Sequence, residues 1–190
     1  LVFENAGVDP ESVPELFEPD FMHRTSSKNY LLPYAMEILE YLKPKYPMHI
    51  ITNGFNESQA KKLNASGLSP YFDLIVTSET TGHKKPDPRI FQYALDNLGI
   101  TNQDVIMIGD NPNSDILGAI NAKIDQVYFD PHNKGIEMKP THTIKHLKEL
   151  DFLNALLDDL QIKFDIPEED FINFCEEVEQ RRQNSLSRRF

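Results

Sequence analysis

A hydroxyl, an ammonium and two carboxylates occur in the order Thr52, Lys85, Asp110 and Asp115. Thr52 closes the run Met48-His49-Ile50-Ile51 and precedes Asn53-Gly54; Asp110 closes Val105-Ile106-Met107-Ile108-Gly109, and Asp115 lies five residues further on. Lys84 and Lys85 stand between Gly82-His83 and Pro86-Asp87-Pro88. Strand ends and the loops after them are where open α/β sheets build their sites. A threonine hydroxyl there can donate to a phosphate oxygen. Gly54 lets backbone come close to a ligand, and the helix that follows turns its N-terminus toward an anion. A lysine over the sheet edge can neutralise a transferring phosphoryl group, and Pro86 makes Lys85 the better positioned of the pair. Asp110 is a natural Mg²⁺ ligand, with Gly109 leaving room for a bound ion. Asp115 sits where it can serve the metal, a water or the lysine, or simply stabilise the first turn of a helix. The set predicts a phosphoryl-transfer site: Thr52, Asn53, Gly54 and Lys85 on the phosphate, and Asp110 and Asp115 on the metal.

The elements that must position these groups follow from periodicity. Apolar residues at helical spacing predict helices over 33–43, 56–66 and 88–98, the first opened by Pro33, the second closed by Gly67 and the third capped by Asp87 with Pro88 at its first position. A further helix is expected from a cap at Asn113 or Ser114 to about residue 122. Short apolar runs at 48–52, 73–78 and 105–108, with a last one at 126–129, predict strands. Alternation of strand and helix predicts a parallel sheet covered by helices, and the nearly unbroken apolar runs suit strands buried on both faces. Residues 1–30 are punctuated by Pro10, Pro14 and Pro19. From about residue 143 the pattern turns helical, with one long helix expected over 144–160 and another over 167–183, whose acids and arginines complement the helix dipole.

The bulk properties narrow the function. Hydrophobic residues make up 39% of the 190, enough for a core, and the formal net charge is −11. Such acidity argues against nucleic-acid backbones and anionic membranes as partners. Cys175 is the single cysteine, so no intrachain disulfide is possible and a cytoplasmic location fits. No apolar run approaches the ~18 residues of a membrane span.

Gly109-Asp110 at a strand end, Asp115 after four intervening residues, Lys85-Pro86 before them and Thr52-Asn53-Gly54 before that resemble the haloacid dehalogenase (HAD) superfamily. The match covers roughly residues 30–150, and Lys85-Pro86-Asp87-Pro88-Arg89-Ile90-Phe91 is its most specific stretch. Ile51-Thr52-Asn53-Gly54-Phe55 and Asp125-Gln126-Val127-Tyr128-Phe129 look like the branch of pyrimidine 5′-nucleotidases. The resemblance implies a Rossmann-like core, Mg²⁺ and hydrolysis of a small phosphorylated substrate, here a nucleoside 5′-monophosphate, through an aspartyl-phosphate. It further implies that Thr52 binds the phosphate, Lys85 stabilises the nucleophile and the developing charge, Asp110 binds Mg²⁺ and Asp115 supports the metal or Lys85. Haloacid dehalogenases proper fit less well, since their metal-free chemistry has no need of Asp110.

The family's first motif, an apolar strand followed by Asp-x-Asp-x-Thr or Asp-x-Asp-x-Val, does not occur in this sequence. Asp165 follows an alternating run, but Pro167 stands where the second aspartate belongs. In the family this motif precedes a helical cap, and residues 1–30 resemble the end of such a cap. The expected organisation is therefore a cap remnant over 1–30, a partial core over 31–150 that lacks its central nucleophile strand, and a helical extension over 151–190. The strands at 48–52 and 105–108 are then expected to face a gap, and this chain alone to be inactive and poorly stable. Phe21, Met22, His23, Phe55 and Asn56 remain as candidates to face a base or sugar. The alternative from another class is a non-catalytic HAD-like binding module. A receiver-type phospho-switch has its carboxylates first and its lysine last, the reverse of the order here.

Overall fold

The computed structural model describes Gly7 and residues 30–152. The expected cap remnant before residue 30 and the helices expected beyond residue 152 lie outside the described residues. Helix α1 spans Ala35–Leu42. Strand β1, His49–Thr52, leads into α2, Asn56–Ser66. Strand β2, Leu74–Thr77, leads into the single turn α3, Ser78–Thr81. Helix α4 is Pro88–Leu98 and β3 is Ile106–Gly109. A π-helical turn, Pro112–Ile116, runs into α5, Leu117–Asn121. Strands β4, Asp125–Phe129, and β5, His142–Ile144, complete the order.

Local chemistry explains these limits. Helices α2 and α4 stop at Gly67 and Gly99, which take φ of +72° and +67°, a region where a side chain is disfavoured. Asp87 caps α4 by accepting the Arg89 N–H at 2.9 Å. After β3 the cap is neither Asn113 nor Ser114 but Asn111. Its Oδ1 accepts both of their N–H groups, at 3.0 and 3.1 Å, and so reaches the free donors first. The Asn111 carbonyl then accepts the Ile116 N–H, a five-residue step that makes the first turn π-helical.

The expected helix over 144–160 is also corrected. Ile144 is the last residue of β5, and the backbone beyond it forms a 3₁₀ helix over Leu147–Phe152. Glu149 explains the break, because its Oε1 accepts the N–H groups of Lys145 and His146 at 3.1 and 2.8 Å and so starts a new turn there.

All strand pairs are parallel, β1 with β2 and β3 with β4 and then β5. Ile51 lies opposite Val76 and Thr52 opposite Thr77; Gly109 lies opposite Tyr128. Among the described residues β1 and β3 share no ladder. Common packing layers nevertheless join them. Met48 of the β1 approach, together with Ile106 and Ile108 of β3, packs on a core of Ile38, Leu42, Val127 and Ile144. Ile51 and Met107 pack on the opposite core of Val76, Ile90, Phe91, Ala94 and Leu95. The alternation along β3 follows from its two-residue period. Full burial on both faces, expected from the apolar runs, is not what the strands show: β1 and β3 are only partly buried along their length and Ile75 of β2 is exposed. Among the described residues no helix is long and apolar enough to cross a membrane.

Phe91 and Ile90 are fully buried at the centre of the second core. Gly118 of α5 admits this packing: a Cβ there would lie 2.6 Å from Phe91 Cε2 and 3.1 Å from Pro86 Cα. Gly118→Val is therefore expected to destabilise the fold by about 3 kcal/mol through overpacking. Urea unfolding measures this, and an unchanged midpoint would show that the helix shifts freely.

Asp87 gives an acid-sensitive element. The side chain of Arg89, first, and its backbone N–H hold the Asp87 carboxyl at about 2, below the ordinary 3.8. A depressed carboxyl adds stability above its unfolded value, and that contribution disappears as pH falls through the folded one. The stability difference between the natural protein and Asp87→Ala should thus shrink between about pH 5 and about pH 2. Urea titrations at the two pH values check this; a constant difference would contradict it.

Candidate active site

Asn53, Lys85 and Asp115, from three separate segments, are joined at the carboxyl ends of the strands. Lys85, in the loop before α4, reaches back to β1 and across to the turn after β3. Its Nζ donates to the Ile51 carbonyl at 2.6 Å and to Asp115 Oδ1 at 2.7 Å. Both side chains of the ion pair are about nine-tenths buried, Lys85 at 10% exposure and Asp115 at 9%. An ammonium has three N–H donors, so these two bonds aim the group and leave one donor for an anion.

Asp115 is held from several sides. Oδ1 also accepts the Ser114 hydroxyl at 3.1 Å, and Oδ2 accepts the Asn111 N–H at 3.1 Å. Gly109 allows this approach, since a Cβ there would lie 2.5 Å from Asp115 Cβ. The room beside Gly109, expected for an ion, is filled by the Asp115 side chain.

On β1, Thr52 Oγ accepts the Gly54 N–H at 3.1 Å, which fixes the oxygen and leaves its proton free to donate. The Gln59 side chain lies against Gly54, 2.1 Å from where a Cβ would stand. The Asn53 side chain is committed to the Lys85 backbone: Oδ1 accepts the Lys85 N–H at 2.8 Å, and Nδ2 donates to the Lys85 carbonyl at 3.1 Å. The N-terminus of α2 already faces an anion. Glu79 Oε2 accepts the Asn56 N–H at 2.8 Å, so the helix dipole expected to serve the phosphate is engaged by this carboxylate. The turn is tied down further by Ser78 Oγ, which donates to the Asn53 carbonyl at 3.0 Å.

Asp110 is exposed just past β3. Its charge is felt by Tyr128: burial first, then Asp130 and Asp110, push the Tyr128 phenol above its ordinary value, so it stays protonated beside the acids. Among the described residues no three His, Cys, Asp or Glu side chains cluster as a ready-made metal cage. Magnesium does not need one. It retains waters and takes one or two carboxylates plus phosphate oxygens. The open Asp110 carboxylate suits that role, while the Asp115 oxygens are engaged with Lys85, Ser114 and Asn111.

Sequence reasoning missed Asn111, Ser114, Ser78 and Tyr128. The first two precede Asp115 within four residues, and Asn-Pro after a strand is a turn signal that could have singled out Asn111. A separate cavity of about 570 Å³ lies between α4 and α5, lined by Arg89, Gln92, Asn102, Asn121 and Lys123 among others. Arg89 is bound to Asp87, Gln92 to Asp96, Asn102 to the Lys123 carbonyl and Asn121 to the Pro86 carbonyl. Four of the polar side chains there are thus bonded within the protein.

Comparison with known proteins identifies the family. The family model described as haloacid dehalogenase-like hydrolase matches residues 3–123. The chain belongs to that family. It is 41% identical over 127 residues to pyrimidine 5′-nucleotidase YjjG of Escherichia coli, covering 64% of this chain and 56% of that protein. It is 34% identical over 159 residues to a phosphoserine phosphatase of Thermus thermophilus, covering 80% of this chain and 62% of that protein. The magnesium-bound HAD-hydrolase YfnB of Bacillus subtilis superposes with a TM-score of 0.68 at 30% identity, over 75% of this chain and 62% of that one. The chain thus spans under two thirds of the length of each of these relatives.

Proposed function

We propose that the complete protein is a Mg²⁺-dependent phosphatase of the HAD type that hydrolyses nucleoside 5′-monophosphates in the cytoplasm. The buried Lys85–Asp115 pair, anchored on the Ile51 carbonyl one residue before Thr52, carries this reading. It turns three distant segments into one anion-facing site at the strand ends. In this reading the Thr52 hydroxyl donates to one phosphate oxygen, and the free N–H of Lys85 neutralises charge on the phosphoryl group as it transfers. Asp115 holds the lysine aimed through their 2.7 Å pairing. Asp110 would hold Mg²⁺, which when bound supplies electrostatic stabilisation of the phosphoryl oxygens. The pattern that carries an aspartate nucleophile is absent from these 190 residues, so an aspartyl-phosphate step requires a carboxylate from elsewhere in the complete protein.

The resemblance to YjjG supports a nucleotide substrate, and so does the flank of the phosphate turn. Asn56 Oδ1 is taken by the Thr77 and Thr80 hydroxyls at 2.6 and 3.0 Å. Phe55 is 62% exposed and offers a free aromatic face to a base.

Phosphate release from a panel of pyrimidine nucleoside monophosphates, phosphoserine and sugar phosphates tests this, with Asp110→Asn as control. Turnover of the nucleotides that requires Mg²⁺ and vanishes in the control is expected. Preference for phosphoserine would overturn the substrate. Absence of turnover from the complete protein would favour a non-catalytic module.

A further inference from the structure

We propose that the Asn53 side chain positions Lys85 and does not itself bind the phosphate; this rests on the phosphatase reading above. The side chain of Asn53 has one acceptor and two donors, and it uses both ends on a single partner. Oδ1 takes the Lys85 N–H at 2.8 Å and Nδ2 gives to the Lys85 carbonyl at 3.1 Å. The partner lies 32 residues away, and its amide and carbonyl are bridged as a neighbouring strand would bridge them. The same residue's Nζ is bonded to the carbonyl of Ile51, two residues before Asn53. Lys85 is therefore gripped by the β1 end at both backbone and side chain.

The Asn53 main chain is itself anchored, because its carbonyl accepts the Ser78 hydroxyl. The grip thus extends from Ser78 at the start of α3 through the phosphate turn to the catalytic lysine. Without it, Pro86 still shapes the loop and Asp115 still pairs with the ammonium, but the loop backbone loses both ties to β1. A displacement of about 1 Å in a catalytic group suffices for a rate loss near 10²-fold.

The complete protein, Asn53→Ala, Asn53→Asp, Lys85→Ala and the double variant Asn53→Ala/Lys85→Ala separate the roles. Asn53→Ala should lower kcat by about 10²-fold with KM changed by less than about threefold. Asn53→Asp keeps the acceptor for the Lys85 N–H but sets a carboxylate oxygen against the Lys85 carbonyl, and it should fall between. In the Lys85→Ala background Asn53→Ala should cost nothing more, since its effect runs through the lysine. Multiplying losses, or a rise in KM alone, would make Asn53 a phosphate ligand and overturn the proposal. Amide hydrogen exchange at Lys85 gives a readout independent of turnover: its protection should be lost in Asn53→Ala and partly kept in Asn53→Asp. Unchanged exchange would overturn the grip even if no substrate is ever turned over. A natural protein without phosphatase activity, but with the exchange effect, would sink the phosphatase reading and leave the grip standing.

Discussion

Replacing Lys85 by methionine in the complete protein is expected to lower kcat for phosphate release by about 10²- to 10³-fold, with a much smaller effect on KM. The reasoning starts from solvation. An ammonium on a flexible four-carbon stem is ordinarily a mobile, well-hydrated charge. Here it is nine-tenths buried and its direction is fixed by two acceptors, the Ile51 carbonyl and Asp115. A charge already oriented before the reaction needs no reorganisation when negative charge moves onto the departing oxygen. Methionine keeps most of the stem volume, so the packing under the loop survives and the loss reports the charge. Equal losses in kcat and kcat/KM would mark an interaction made in the transition state. A rise in KM with kcat unchanged would place Lys85 in ground-state binding alone.

The second large effect concerns stability. Asp115→Ala should destabilise the protein by about 3 kcal/mol, because it leaves the buried Lys85 ammonium facing an empty site. It also removes the acceptor for the Asn111 N–H and the Ser114 hydroxyl. Lys85→Met should cost less, since Asp115 keeps those two donors after the lysine is gone. The double variant Lys85→Met/Asp115→Leu should then recover part of the loss, as buried ion pairs replaced by apolar groups of similar volume often do. Urea unfolding of the three variants measures the cycle. Additive losses in the double variant would mean that the two residues do not share one energetic unit.

Several parts of this organisation can be read directly from residue types. The strands announce themselves as short apolar runs because their side chains pack into two cores, and the helix ends at Gly67 and Gly99 are set by local backbone freedom. Thr52 and Asp110 stand out because each is a polar group at the end of an apolar run, whereas Lys85 and Asp115 stand out only through their order and spacing beside those two. Asp87 reads as a cap because Pro88 follows it.

Other parts depend on partners far away in sequence. Nothing local to Asn53 indicates that both ends of its amide are taken by the Lys85 backbone 32 residues later. The same holds for Glu79, whose carboxylate meets the first N–H of α2 only after β1 and β2 have paired. Strand β5 has three residues, too few for a period of two to show, and the run that follows it reads as helix until Glu149 captures the N–H groups ahead of it. The short helix α3 depends on the Thr77 hydroxyl accepting the Thr80 N–H, a cap placed inside what reads as a strand end. Asn111 wins the cap from Asn113 and Ser114 because its oxygen reaches both of their N–H groups.

The most direct test of the central account is a crystal structure of the complete protein with Mg²⁺ and vanadate, a phosphate mimic. The account predicts vanadate oxygens within about 3.2 Å of Thr52 Oγ and Lys85 Nζ, Mg²⁺ on Asp110, and Asp115 still paired with Lys85. Vanadate bound away from Thr52 and Lys85, with the metal on other residues, would contradict it.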